Sequence, residues 1–413
     1  MNEPGDRTAE DLPGDSDRPG PPAHPPRFRR RPPAPPVARG WRWGFPAIVL
    51  VAVVWAGVLV LDGLETVLQS EEGETREAVT DQAAPGFEAF VEQTWSMLIV
   101  TEDAAGELVQ VAVLAVADRL NGGGTLLLIP PGLTTDGCDK SPCRLADRHR
   151  SGGVEADRSV VTALLDVDLT GMALLTPARW SSLADLVSPL PISLPSDLIQ
   201  TGADGTTVVR FAAGDGSLEA ADIVDLLGFG EAGGMGRLGL QVMFWESWLT
   251  TLGRGGDPAV NLPTLDLEVV RIMAVVAAGP VRIEASPWMD DGSSTRAVPG
   301  EIQRLKNGMF PFPISLQPGA RPTVRLLNGT GDPALDVVAR EVVLATGVDI
   351  AVVGNFRNFD VIQTRVIHRN PAMADAAAVL AVALGAGVIH DEMASPVADL
   401  TVVIGADFAG PAR

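Results

Sequence analysis

Eighteen consecutive uncharged residues, "GFPAIVLVAVVWAGVLVL" from Gly44 to Leu61, constrain this chain more than any other stretch. As a helix they would run about 27 Å, enough to cross the hydrocarbon core of a bilayer. A cleaved signal peptide is the rival reading. Its apolar core would be shorter, start near residue 1 and end in a small-residue cleavage site, whereas here a long polar tail comes first and Leu61-Asp62-Gly63-Leu64-Glu65 follows. The sequence therefore predicts one uncleaved transmembrane helix over 44–62. Arg27, Arg29, Arg30, Arg31, Arg39 and Arg42 crowd one flank, and Asp62, Glu65, Glu71, Glu72 and Glu74 the other. By the positive-inside bias the N-terminus is cytoplasmic, and everything after residue 62 lies outside the plasma membrane.

Residues 1–43 are rich in Pro, Gly, Asp and Arg and lack the spaced aliphatics that offset chain entropy, so they read as a disordered cytoplasmic tail. Eight of the 31 basic and six of the 52 acidic residues precede residue 62, which leaves the outer part strongly acidic. A surface of that balance repels nucleic acid and excludes it as a partner. Cys138 and Cys143, in "GCDKSPC", predict a small loop-closing disulfide. A metal clip would need two more ligands, and only His149 stands nearby. Low Lys, no Tyr and abundant Ala, Gly, Pro and Arg suggest a GC-rich genome.

Beyond the span, residues 63–85 are polar and acidic and read as a helical or flexible stalk. Residues 86–316 then alternate apolar runs, Gly-rich or acidic turns and helical periodicity. In their second half, Phe244, Trp245 and Trp248 read as core packing in preference to the lining of a lipid groove. Prolines 311, 313, 318 and 322 mark a linker. The last unit, 321–408, alternates cleanly: strand 323–328, helix 333–346, strand 348–354, strand 361–368, helix 371–385 and strand 399–404. The expected fold class is α/β: one N-terminal transmembrane helix, a larger α/β domain, then a small layered α/β domain.

Within that last unit "VRLLNGTGDPALDVVARE" imitates a dinucleotide fingerprint, with Gly329 and Gly331 between strand and helix and Asp349 about twenty residues on. Three features argue against a cofactor. Asp332 stands at the N-cap before Pro333, where its carboxylate takes the place and charge of a pyrophosphate. Asp349 begins a strand, whereas the ribose-binding acid ends one. The segment also lies outside the membrane, where such cofactors are scarce. The glycines are expected to form a tight strand-to-helix turn.

The same stretch, with "VGN" at 353–355, "TRVIH" at 364–368, "AAVLAVALGAGVI" and the terminal "ADLTVVIGADF" at 398–408, resembles the LytR C-terminal domain of actinobacterial cell-envelope proteins. That resemblance covers nearly the whole unit and implies no catalytic residues in it. Residues 86–316 resemble, in degenerate form, a LytR-CpsA-Psr domain. Its members use Mg²⁺, Asp and Arg to move cell-wall glycopolymers from a polyprenyl pyrophosphate carrier to peptidoglycan. "LLLIPPGLTTD", "CRLADRHRSGGVEADRSVVTALLDV" and "GMGRLGLQ" carry the likeness.

The departures decide the functional expectation. Pro131-Gly132 stands where the resemblance places Arg-Asp, Thr94-Trp95-Ser96 where it places an early Asp, and Leu240 where it places the partner of Arg237. Arg144 replaces a Lys and Ala146 an Asn. Stabilising a transferring pyrophosphate takes several fixed cations and carboxylates for Mg²⁺, and each loss commonly costs a few kcal/mol.

The resemblance thus implies a non-catalytic, membrane-anchored envelope protein, a scaffold or a polyprenyl-lipid binder, with no cofactor. Its partners would be the membrane, a polyprenyl-linked lipid or glycopolymer, and other envelope proteins. Arg237 and Arg144 are the ligand-binding candidates. The alternative is a residual phosphotransferase using Arg144, Arg237, Asp136 and Mg²⁺. Asp290-Asp291 reads as an acidic turn, with a Ca²⁺ contact as its rival, and no hydrolase or common zinc-enzyme motif occurs.

Overall fold

The computed structural model describes residues 79–138, 142–202, 204–230, 235–264, 268–290 and 294–408. The tail, the span 44–62 and the stalk as far as residue 78 lie outside the described residues, among which no helix is long and apolar enough to cross a membrane. Residues 79–85, the last of the expected stalk, run without helix or strand through turns. The Asn355 side chain donates from Nδ2 to the carbonyls of Gln82 and Ala84 and ties that segment to the globular part.

The strands and helices follow in chain order. β1 (Glu88–Phe90), β2 (Ser96–Glu102), β3 (Leu108–Val116) and β4 (Gly124–Ile129) come first, then β5 (Thr134–Thr135), β6 (Cys143–Arg144) and helix α1 (Leu145–Leu165). β7 (Gly171–Leu175) and α2 (Pro177–Ala184) lead into a nested ribbon of β8 (Leu190–Leu194), β9 (Leu198–Thr201), β10 (Thr207–Phe211) and β11 (Gly214–Leu218). Next are α3 (Ile223–Leu227), α4 (Met235–Leu252), α5 (Glu268–Ala277), β12 (Val281–Glu284), β13 (Trp288–Asp290), β14 (Thr295–Ala297) and α6 (Pro299–Met309). The C-terminal unit has β15 (Thr323–Asn328), α7 (Pro333–Ala345), β16 (Asp349–Asn355), β17 (Arg365–His368), α8 (Ala374–Leu384), β18 (Gly387–His390) and β19 (Leu400–Ile404).

β2, β3 and β4 are apolar at nearly every position because both faces of their sheet are covered. That sheet runs β12-β4-β3-β2-β7, with the two outer pairs parallel and the inner ones antiparallel. Its inner strands are joined by tight turns. Asp103 Oδ1 accepts the amides of Ala105 and Glu107, and Gly106 takes φ 77°.

Phe244, Trp245 and Trp248 of α4 meet Trp180 of α2 in a fully buried aromatic cluster, with Trp180 centred 5.1–5.6 Å from the other three. Edge contacts of this kind add to the area they bury.

The second sheet runs β1-β16-β15-β19-β17-β18 around a separate apolar core of Val324, Leu326, Val366, Leu380 and Val402, with α7 and α8 packed on it. β1, which precedes the first sheet in the chain, pairs antiparallel with β16 in the second. The C-terminal chain thus closes on the residues that lead out of the proposed stalk. The architecture is mixed α/β.

Candidate functional site

α1 begins at Leu145 and bends where Gly153 adopts φ 61° and ψ −156°. The bend brings two side chains of one helix, eight residues apart, face to face. His149 Nδ1 meets Asp157 Oδ2 at 2.5 Å, and His149 Nε2 meets Glu102 Oε1 of β2 at 2.9 Å. His149 is 4% exposed and Asp157 0%. The hydrogen bond to Asp157 raises the His149 pKa against the effect of burial, while burial pushes Asp157 up against His149. Both ring nitrogens are engaged, so this triad holds α1 to β2 and is not a free base.

Beside it opens a cavity of about 610 Å³, lined by Arg150 of α1, Arg210 of β10 and Arg237 of α4 together with Asp103, Glu107 and Asp225. Cations and carboxylates alternate around it. Arg150 donates from Nη2 to Glu107 at 2.7 Å and from Nη1 to Asp147 at 3.1 Å, and it holds the Glu107 carboxyl below the usual range. Arg210 donates from Nη2 to Asp225 at 2.7 Å and Asp222 at 2.5 Å, which raises its own pKa.

Arg237 is 8% exposed and donates from Nη2 to the Gly230 carbonyl at 2.9 Å. Burial lowers its pKa, with Asp103 opposing, and its Nε is buried without a partner among the described residues. A buried cation with an unmet donor at a cavity wall is suited to an anion, and the carboxylates Asp103, Glu107 and Asp225 on the same wall oppose it.

The sequence candidates do not converge. Arg237 lines the cavity, whereas Arg144 lies exposed at the head of α1, where its backbone amide donates to Asp147 Oδ2 at 3.1 Å. Asp136 is exposed in the β5–β6 connection and is absent from the cavity wall. Pro131 and Gly132 are buried in the turn after β4, the Pro131 carbonyl accepting the Ala146 amide at 2.9 Å. Leu240 is core. Cys138 and Cys143 form the expected disulfide, with Cα atoms 5.4 Å apart.

Asp290 ends β13 in an exposed position, and Asp291 lies outside the described residues. Among the described residues no three His, Cys, Asp or Glu are grouped to hold a metal. The cavity carboxylates Glu107 and Asp225 are taken up by arginines and Asp103 by backbone amides, so they do not fit Mg²⁺. Arg150, Arg210 and the His149–Asp157 pair were not singled out as site residues in the sequence. Only the Gly152-Gly153 pair hinted at the bend that joins the latter two.

The dinucleotide-like loop is filled by the protein itself. Asn328 Oδ1 accepts the amides of Thr330 and Gly331, and its Nδ2 donates to the Asp332 carbonyl and to Asp336. Asp332 Oδ1 caps α7 through the Ala334 amide at 2.9 Å. Gly331, at φ 76°, faces the Phe359 ring, and a Cβ on Gly329 would stand 2.5 Å from Val361 Cγ2 and 2.7 Å from the Ile404 carbonyl. The glycines permit close packing of the chain on itself.

Residues 321–408 match the family described as LytR cell envelope-related transcriptional attenuator. No curated protein matches the chain. Among solved structures it is similar to TagV of B. subtilis, at 11% identity over 52% of this chain and 97% of TagV, with a TM-score of 0.41. B. subtilis TagT gives 14% identity, 57% of this chain, 93% of TagT and a TM-score of 0.41. The LytR-CPS2A-psr family protein YwtF (TagT), with bound octaprenyl pyrophosphate lipid, gives 13%, 57%, 92% and 0.40. Likeness of that degree fixes neither ligand nor chemistry for this chain.

Proposed function

We propose that this is a cell-envelope protein, held in the plasma membrane by 44–62 with its N-terminus inside, whose middle unit binds a polyprenyl-linked carrier or glycopolymer without transferring it. The LytR C-terminal domain at 321–408 supports the envelope setting. The observation that carries the binding reading is the cavity itself, with buried Arg237 offering an unmet donor while Arg150 and Arg210 are already spent on carboxylates. Phosphoryl transfer needs uncompensated cations at the oxygens where charge develops. Here one such group remains, enough to orient a head group and too little to stabilise a transition state.

The test is a transfer assay with full-length protein in detergent, a polyprenyl pyrophosphate-linked glycopolymer, peptidoglycan and Mg²⁺, beside an active LytR-CpsA-Psr enzyme. The expected result is no product above the protein-free control. Product formed by this protein, and lost on Arg237→Ala, would establish the phosphotransferase reading instead.

A further inference from the structure

The two larger sheets present four edges, and three of them carry features that disfavour pairing. β12 carries the Arg282–Glu284 ion pair at 3.0 Å. A carbonyl of β7, that of Leu174, is capped by Arg179 Nη1 at 2.6 Å. β1 is three residues long, and its Glu88 is bound to Arg325.

β18 carries no such device within its four residues, its His390 lying 3.9 Å from Glu392 just beyond the strand. Its sequence, Gly-Val-Ile-His, has no acid, lysine, arginine or proline, and all four residues are exposed, Val388 at 44% and Ile389 at 42%. The Gly387 and Asp391 amides donate inward to the Thr364 and His368 carbonyls. By strand alternation Ile389 also faces inward, so the N–H and C=O groups of Val388 and His390 point away from β17. No backbone or side-chain hydrogen bond to those outward groups is made within the described residues.

We propose that β18 is a homodimer interface, pairing antiparallel with β18 of a second copy about a two-fold axis through Ile389. The register is self-complementary. Val388 of each copy faces His390 of the other, which satisfies the outward groups of both strands, and the two Ile389 residues meet as the close, non-hydrogen-bonded pair on the axis. Gly387 then lies opposite Asp391 of the second copy.

Charge complements the pairing there. Arg365, the β17 neighbour of Gly387, lines the same open trough as Gly387 and Ile389, and its guanidinium rests over the Phe356 ring at 5.1 Å. Because Gly387 has no side chain, Arg365 can reach across it to the partner's Asp391. The edge thereby joins two six-stranded sheets into one.

The test uses full-length protein in detergent, whose native cysteines are already paired. Non-hydrogen-bonded antiparallel partners stand about 4.5 Å apart at Cα, within reach of a disulfide. Ile389→Cys should form a covalent homodimer under mild oxidation at least about tenfold faster than Leu120→Cys, which sits 95% exposed in the turn after β3. Adding Val388→Pro removes the outward N–H at the edge and should abolish that advantage, with the thermal unfolding profile checking that the sheet itself is intact. The unaltered protein should run as a dimer by light scattering at micromolar concentration. A monomer throughout, equal cross-linking of both cysteine variants, or cross-linking of Ile389→Cys to a different protein would overturn the proposal.

Discussion

Replacing His149 with Leu tests the tie between α1 and β2. Asp157 is fully buried, and among the described residues its carboxylate meets His149 alone through Oδ2 while its Oδ1 lacks a partner. Losing the imidazole leaves a buried carboxylate with no donor, a change that typically costs about 3–5 kcal/mol. Protonation caps the loss. Starting from an ordinary pKa of 3.8, binding a proton costs Asp157 about 4 kcal/mol at pH 7 and about 2 kcal/mol at pH 5. Chemical denaturation followed by tryptophan fluorescence should therefore show His149→Leu destabilised by about 3–4 kcal/mol at pH 7 and by roughly half that at pH 5. The double variant His149→Leu/Asp157→Ala should recover at least half of the loss, because no buried charge is then left alone. A cost under about 1 kcal/mol at pH 7, or one that does not shrink on acidification, would refute this account of the triad.

The unaltered protein should show the matching pH dependence. The folded His149 pKa lies above its ordinary 6.5, so its stabilisation is complete below that value and is lost as pH rises through the raised one. Unfolding free energy should fall over that window, and this contribution to the slope should be absent from the His149→Leu/Asp157→Ala double variant, in which neither group remains to titrate. Gly329→Ala should cost about 1–3 kcal/mol in thermal unfolding, since its Cβ meets the Val361 side chain and the Ile404 carbonyl; a neutral result would mean the loop is looser than described. Gln110 is wholly buried in β3 with both amide atoms unpaired among the described residues, so Gln110→Met should be neutral or stabilising by about 1 kcal/mol, and a marked loss would reveal a partner for that amide.

Alternation and length made the C-terminal unit legible in the sequence. β15 matches the expected 323–328, and α7 and β16 lie within a residue of theirs. β17 is shorter than expected because residues 361–364 leave the strand to pack over Gly329 and bond Asp407. β18 went unseen because four exposed residues give no alternation between wet and dry faces.

The cavity was legible only in part. Arg237 could be singled out by resemblance, but Arg150 and Arg210 reach the same wall from elements whose meeting depends on the bend at Gly153 and on the β8–β11 ribbon. No local pattern encodes such a meeting. That Arg150 and Arg210 arrive already paired with acids is likewise a property of tertiary structure.

Native mass spectrometry of full-length protein, gently extracted from its own membranes, should show a co-purifying polyprenyl phosphate or pyrophosphate that is lost in Arg237→Ala. Empty protein under conditions where an active LytR-CpsA-Psr enzyme retains its lipid would contradict the binding reading.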